Sequence, residues 1–154
     1  MEKKIFTFIL LIFLSSCGYE AIYSVKKIKN HDFSISKLSF IGDREINLKI
    51  KQKLNNYTQK IKDINFILKI TSTSEKIILA KNDAGDSTSF KIETIVNIDV
   101  FNKKKLKSNF IITESFNYDN NSNKFELKNY EKEIKRNLAD IVTEKLILKL
   151  ANIK

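Results

Sequence analysis

The chain predicts an α+β fold: a four-stranded mixed sheet, built in the order β-α-β-β-β-α, with two helices packed on one face. Three observations point there. Phe90, Ile92, Val96, Ile98 and Val100 alternate with Lys91, Glu93, Asn97 and Asp99, the period of a strand with one buried and one polar face. Ile46, Ile50, Leu54, Tyr57 and Ile61 recur at steps of four, four, three and four, which is one face of an amphipathic helix. From about residue 127 to 153 the pattern is again helical, with neither Gly nor Pro inside it.

Each element follows in order. Residues 33–40 form the first strand candidate, and its apolar phase changes between Ile35 and Leu38, which predicts a bulge or a strand end. Gly42-Asp43 breaks the run, and Asp43 is placed to cap the helix that follows. In that helix Glu45 occupies the first turn, and Lys60 and Lys62 the expected last turn, both matching the macrodipole. Lys49, Lys51 and Lys53 fall away from the apolar ridge and read as a solvated face rather than a membrane-surface one. Residues 65–80 make a long second strand with Phe66, Leu68 and Ile70 alternating, and 82–86 form a turn. The clear strand over 90–100 is followed by a turn at 102–105. Phe110, Ile112, Phe116 and Tyr118 then alternate as the last strand. Connections this short imply an antiparallel meander, whereas the first β-α-β unit crosses over right-handed and makes its two strands parallel. Residues 119–123 are a polar loop. In the final helix Tyr130, Ile134, Leu138 and Ile141 form one ridge, and Val142, Leu146, Leu150 and Ile153 a neighbouring one. With the helices on one sheet face, the other carries mixed residues such as Lys91, Glu93, Ile95 and Phe101, and faces solvent or a partner.

Composition narrows the function. With 154 residues there is room for one ordinary domain. A single Cys excludes a disulfide framework and a CxxC redox pair. A single His, His31, excludes a metal site built on two or more histidines. His31 stands beside Asp32, but adjacent residues on an extended chain point to opposite faces, and no nucleophilic elbow or second His completes a site. No phosphate-binding glycine loop or EF-hand is present. The expectation is a protein that is not an enzyme, with no catalytic residues, no metal and no cofactor. The formal charge of +10 calls for an acidic counterpart, or reflects the lysine bias of an AT-rich coding sequence. Only Arg44 and Arg136 are arginines, which argues against base readout in nucleic acid.

The N-terminus reads as an address. Lys3 and Lys4 precede an apolar stretch over 5–14, followed by Ser15 and Ser16, the layout of a signal peptide. Ten helical residues span about 15 Å, half of a ~30 Å hydrocarbon core. Leu14-Ser15-Ser16-Cys17 resembles the bacterial lipobox, in which cleavage precedes a Cys that is lipidated. The expected organisation is a signal peptide over 1–16, a lipid-anchored tether over 17–32 starting at Cys17, and one α+β domain over 33–154. Gly18, standing where Asp retains lipoproteins in the inner membrane under enteric-type sorting, favours the outer membrane with the domain on the periplasmic side. Lys26, Lys27 and Lys29 lie near the anchor, where anionic head groups and a polar tether explain them equally.

Cys17-Gly18-Tyr19-Glu20-Ala21-Ile22-Tyr23 resembles the mature start of the lipopolysaccharide-assembly lipoproteins, the LptE family, with Ala21 near the position of the family's usual Pro. The run from Arg44 to Leu54 is similar to that family's first helix. Lys135-Arg136-Asn137-Leu138-Ala139, followed by Ile141 and Leu146, is similar to its last. The element order agrees over the whole segment after the signal peptide. The resemblance implies a role without chemistry: plug and assembly partner of the outer-membrane β-barrel LptD, which inserts lipopolysaccharide into the outer leaflet, with lipopolysaccharide itself as a second ligand. It also implies that the open sheet face and polar loops are contact surface for a polar barrel interior. An auxiliary lipoprotein of an ABC-type lipid-transfer system is the alternative. Lys103, Lys104, Lys105 and Lys107 fall at the expected hairpin tip. There they read either as contacts to lipopolysaccharide phosphates or as a solvated, edge-protecting turn.

Overall fold

The structure, a computed structural model, describes residues 32–153. Strand β1 (Phe33–Gly42) leads to helix α1 (Arg44–Leu54), which ends in a short 3-10 turn over Asn55–Tyr57. Strands β2 (Ile64–Lys81), β3 (Ser87–Asn102) and β4 (Lys105–Asp119) follow, and helix α2 (Lys124–Ala151) closes the fold. The sheet order is β1-β2-β3-β4. β1 runs parallel to β2, and the other two pairs are antiparallel. This is the α+β architecture that the hydrophobic periodicity predicts, including the parallel crossover. The phase change in β1 is a register shift between Ile35 and Lys37.

The elements start where the local chemistry says they should. Asp43 Oδ1 accepts from the backbone N–H groups of Glu45 and Ile46 at 3.0 and 3.1 Å, satisfying two of the orphan donors of α1. Asn123 does the same for α2, accepting from Phe125 and Glu126. The β3–β4 turn is two residues long, Lys103 and Lys104, with φ of 48° and 65°. Both lie in the left-handed region, as a type I′ hairpin requires.

Two expectations need correction. The first helix stops at Leu54 instead of continuing to Ile61, so Lys51 and Lys53, not Lys60 and Lys62, fill its last turn. Tyr57 leaves the helical ridge and stacks on Phe33, ring centroids 5.0 Å apart, while Ile61 is 90% exposed. In α2 the two expected ridges are one stripe, Leu127, Ile134, Leu138, Val142, Leu146 and Leu150, and Tyr130 and Ile141 lie outside it. A 28-residue helix is about 42 Å long, and each step of four overshoots a full turn by about 40°, so the stripe winds slowly round the helix along its length.

That stripe spans two hydrophobic clusters. The larger joins α1, the C-terminal half of α2 and the sheet through Phe33, Phe66, Leu68, Ile98, Leu146 and their neighbours. The smaller lies under the start of α2 and contains Phe90, Ile92, Tyr118, Leu127, Ile134 and Leu138. Between them a polar row crosses the helix-facing side of the sheet, Ser74 opposite Thr94 and Thr94 opposite Glu114. The hydroxyls of Ser74 and Thr94 are buried without a hydrogen-bond partner, and Glu114 is paired with Lys145 of α2. Lys49 and Lys53, expected to be simply solvated, instead reach Asp140 of α2 at 3.4 and 3.3 Å and help align the two helices. Pairs this exposed contribute about 1 kcal/mol at most.

Candidate functional site

Among the described residues no group of three or more His, Cys, Asp or Glu is placed to hold a metal ion. Cys17 and His31 lie outside the described residues, as do the expected signal peptide and nearly all of the expected tether. The four hairpin lysines are described. Lys103 and Lys104 form the turn itself, Lys105 opens β4, and Lys107 follows; all four are exposed. They stand together on an exposed turn at one end of the sheet.

The open face of the sheet is the larger candidate. Strand alternation sends Lys91, Glu93, Ile95, Asn97, Asp99 and Phe101 of β3 away from the helices. Register places Ile111 beside Asn97 and Asn109 beside Asp99. Asn109 Nδ2 donates to both Asn97 Oδ1 and Asp99 Oδ1 at 2.7 Å, and Lys91 pairs with Glu93 at 2.8 Å. Apolar groups punctuate this polar lattice: Ile111 is 65% and Ile95 40% exposed. The result is a mixed surface of hydrogen-bonded polar groups interrupted by exposed apolar side chains.

At the far end from the lysine turn, an open hollow of about 830 Å³ lies between the end of β4 and the start of α2, bordered by Phe116, Asn117, Asn120, Glu126 and Tyr130. Beside it is a contact that sequence reasoning missed. Glu131 Oε1 takes a hydrogen bond from the Tyr118 hydroxyl at 2.8 Å and from Lys76 Nζ at 2.6 Å. Lys76 Nζ also sits 3.7 Å above the Phe90 ring. Burial, reinforced by the adjacent Glu131 carboxylate, pushes the Tyr118 phenol well above its ordinary value. The cluster locks the N-terminal half of α2 onto the sheet. The signal was present in β2, where the core-facing positions 72, 74 and 76 are all polar.

Asp43 has the opposite shift. Burial alone raises its pKa, but the Lys135 ammonium 2.8 Å away and the N–H groups of Ile46 and Glu45 outweigh burial and hold it below the usual carboxylate value.

Comparison with known proteins places the architecture. No family model matches the chain, and no curated protein matches its sequence. Solved structures do. The chain is similar to the crystal structure of the rare lipoprotein B from Shewanella oneidensis, with a TM-score of 0.56 and 18% identity, covering 75% of this chain and 97% of the other. It is similar to a minor lipoprotein from Acinetobacter baumannii, with a TM-score of 0.56 and 13% identity over 75% and 90% of the two chains. An uncharacterized lipoprotein B from Nitrosomonas europaea aligns with a TM-score of 0.50 and 10% identity over 76% and 83%. At these identities the likeness is one of fold.

Proposed function

We propose that the chain is a lipid-anchored outer-membrane protein that plugs and helps assemble the β-barrel inserting lipopolysaccharide into the outer leaflet. The observation that carries the reading is the pairing of a lipobox-like Leu14-Ser15-Ser16-Cys17 with a fold shared by structures named as lipoproteins. The open sheet face supports it. The lumen of an outer-membrane barrel is polar, and a surface that alternates Lys91, Glu93, Asn97 and Asp99 with Ile95 and Ile111 is matched to such a wall. The role is mechanical: the domain fills the lumen, and its hydrogen-bonded lattice gives the barrel strands a template to close around. Neither task requires a bond to be made or broken.

The test is affinity capture of the C-terminally tagged, full-length protein from mildly solubilised outer membrane, with mass spectrometry of what accompanies it. Recovery of one large β-barrel near one-to-one is the expected result. Recovery of ABC-transporter components instead moves the protein to a lipid-transfer system of another kind, and recovery of neither overturns the barrel reading.

A further inference from the structure

The two ends of the domain differ in charge. The chain enters at Phe33, whose register partner Ile64 opens β2; β3 ends and β4 begins at this same end, and α2 finishes there. It carries Lys60, Lys62, Lys103, Lys104, Lys105 and Lys107 against Asp32 and Asp63, with Lys149 in the last turn of α2. The opposite end, made by the β2–β3 turn and the start of α2, carries Asp83, Asp86, Asp119 and Glu126 against Lys81, Lys124 and Lys128. Lysine bias in the coding sequence raises charge everywhere and does not account for this polarity.

Two features of the basic end add to its charge. Lys103 and Lys104 occupy left-handed positions where Asn and Gly are at ease and lysine is not, so positive charge is kept at the tip against backbone preference. Apolar side chains stand among the lysines with nothing covering them: Leu106 is 58%, Leu148 58% and Ile61 90% exposed.

We propose that, before the domain enters a barrel, this end lies flat against an anionic phospholipid bilayer, the hairpin lysines Lys103, Lys104, Lys105 and Lys107 meeting head-group phosphates while Leu106 and Ile61 enter the interfacial layer. The inference rests on the lipid-anchor part of the proposed function. A chain from residue 18 to 32 spans at most about 50 Å when fully extended, so an anchor at Cys17 keeps the basic end, where the chain enters the domain, within reach of the surface. Near an anionic surface each lysine contributes roughly fivefold to the docked population, and apolar tips add contact that charge alone does not.

The test uses the lipidated full-length chain carrying Leu106→Cys, labelled there with an environment-sensitive dye; the thiol of Cys17 is blocked by its lipid. The chain is reconstituted into vesicles of phosphatidylcholine alone or with phosphatidylglycerol, each containing quencher-bearing lipid. Because the anchor holds the protein on both, the comparison reads docking rather than attachment. Strong quenching on anionic vesicles only is expected. It should be lost in about 0.5 M salt, where the screening length is only a few ångström, and lost in the Lys103→Gln/Lys104→Gln/Lys105→Gln/Lys107→Gln variant. A dye on Asp83→Cys, at the acidic end, should not be quenched. Equal quenching on both vesicle types, or equal quenching at positions 83 and 106, overturns the proposal. So does a label that responds to lipopolysaccharide micelles and not to phosphatidylglycerol, which would assign the lysines to lipid A phosphates. A chain that leaves neutral vesicles altogether shows that the anchor itself is absent, and the proposal falls with it.

Discussion

Replacing Gly42 with Ala should come close to unfolding the protein, and the structure says by how much. Gly42 ends β1 with φ of +101°, and a Cβ built there would sit 1.8 Å from the carbonyl oxygen of Ser72 and 2.9 Å from its carbonyl carbon. Both atoms are backbone of the central strand β2, so no side-chain rotation relieves the clash. The Ser72 carbonyl accepts the Asp43 N–H at 3.0 Å, and the Ser72 hydroxyl donates to Asn47 at 2.8 Å. Moving β1 away from β2 therefore strains the residue that caps α1. Forcing an L-residue into this conformation costs about 1–2 kcal/mol. A lost backbone hydrogen bond adds about 1 kcal/mol, and a weakened cap about 1 kcal/mol more. The total is about 3–4 kcal/mol, a large fraction of the stability of a domain this size. Gly85 is the internal control. Its φ is +87°, but a Cβ there meets nothing within 4 Å, so Gly85→Ala should cost about 1–2 kcal/mol, the conformational part alone. Urea denaturation of both variants, followed by circular dichroism and tyrosine fluorescence, measures the difference. Equal losses for the two alanines would refute the steric argument, since only Gly42 has a neighbour to strike.

Four further outcomes rest on the same packing and charge arguments. Thr94→Val should leave stability unchanged or raise it by about 1 kcal/mol, because it removes a buried hydroxyl that has no partner; a clear loss in urea denaturation would show the hydroxyl to be satisfied. Asp43 has a folded pKa below its unfolded value of about 3.9. Its contribution is therefore present above that pH and lost as pH falls through the folded pKa; acid titration of Asp43→Asn should show a shallower fall than the parent. Tyr118, whose folded pKa is raised, contributes stability that is full below about pH 10 and lost as pH climbs toward the folded value, and Tyr118→Phe should remove that alkaline phase. Ile111→Asp, on the open face, should leave the melting temperature within a few degrees of the parent yet reduce recovery of the barrel in affinity capture; undiminished recovery would place the contact elsewhere.

The parts of the fold legible in the sequence were those written in one segment. Alternation over 90–100, the Gly42-Asp43 break and the Gly- and Pro-free final pattern each specify an element without help from elsewhere. Misreadings arose where a second element decided. The ridge through Tyr57 and Ile61 keeps helical spacing, but Phe33 captures the Tyr57 ring and the helix ends at Leu54. The polar row of Ser74, Thr94 and Glu114 is scattered over three strands and becomes a row only through register. The Lys76–Glu131–Tyr118 contact joins residues 55 and 13 positions apart from their shared partner. For the surfaces, the hairpin lysines were visible as a cluster, yet their place at the chain-entry end needed the topology. So did the contrast with Asp83, Asp86 and Asp119 at the other end.

The unequal strand lengths have a consequence for how copies of this molecule treat one another. β1 leaves the sheet at Gly42, opposite Ser72, but β2 runs on to Lys81. Among the described residues, positions 73–81 are bonded to β3 on one side only, and a strand edge of this kind is a rim onto which a stray strand can stack. The register shifts at Ile78, Ala80 and Lys81 break the regular spacing that such stacking needs. Charged Glu75, Lys76 and Lys81 make a like copy a poor fit. Irregular pairing at the tip of the longest hairpin thus works against edge-to-edge stacking, and a variant that straightened it would be expected to lose solubility before it lost its fold.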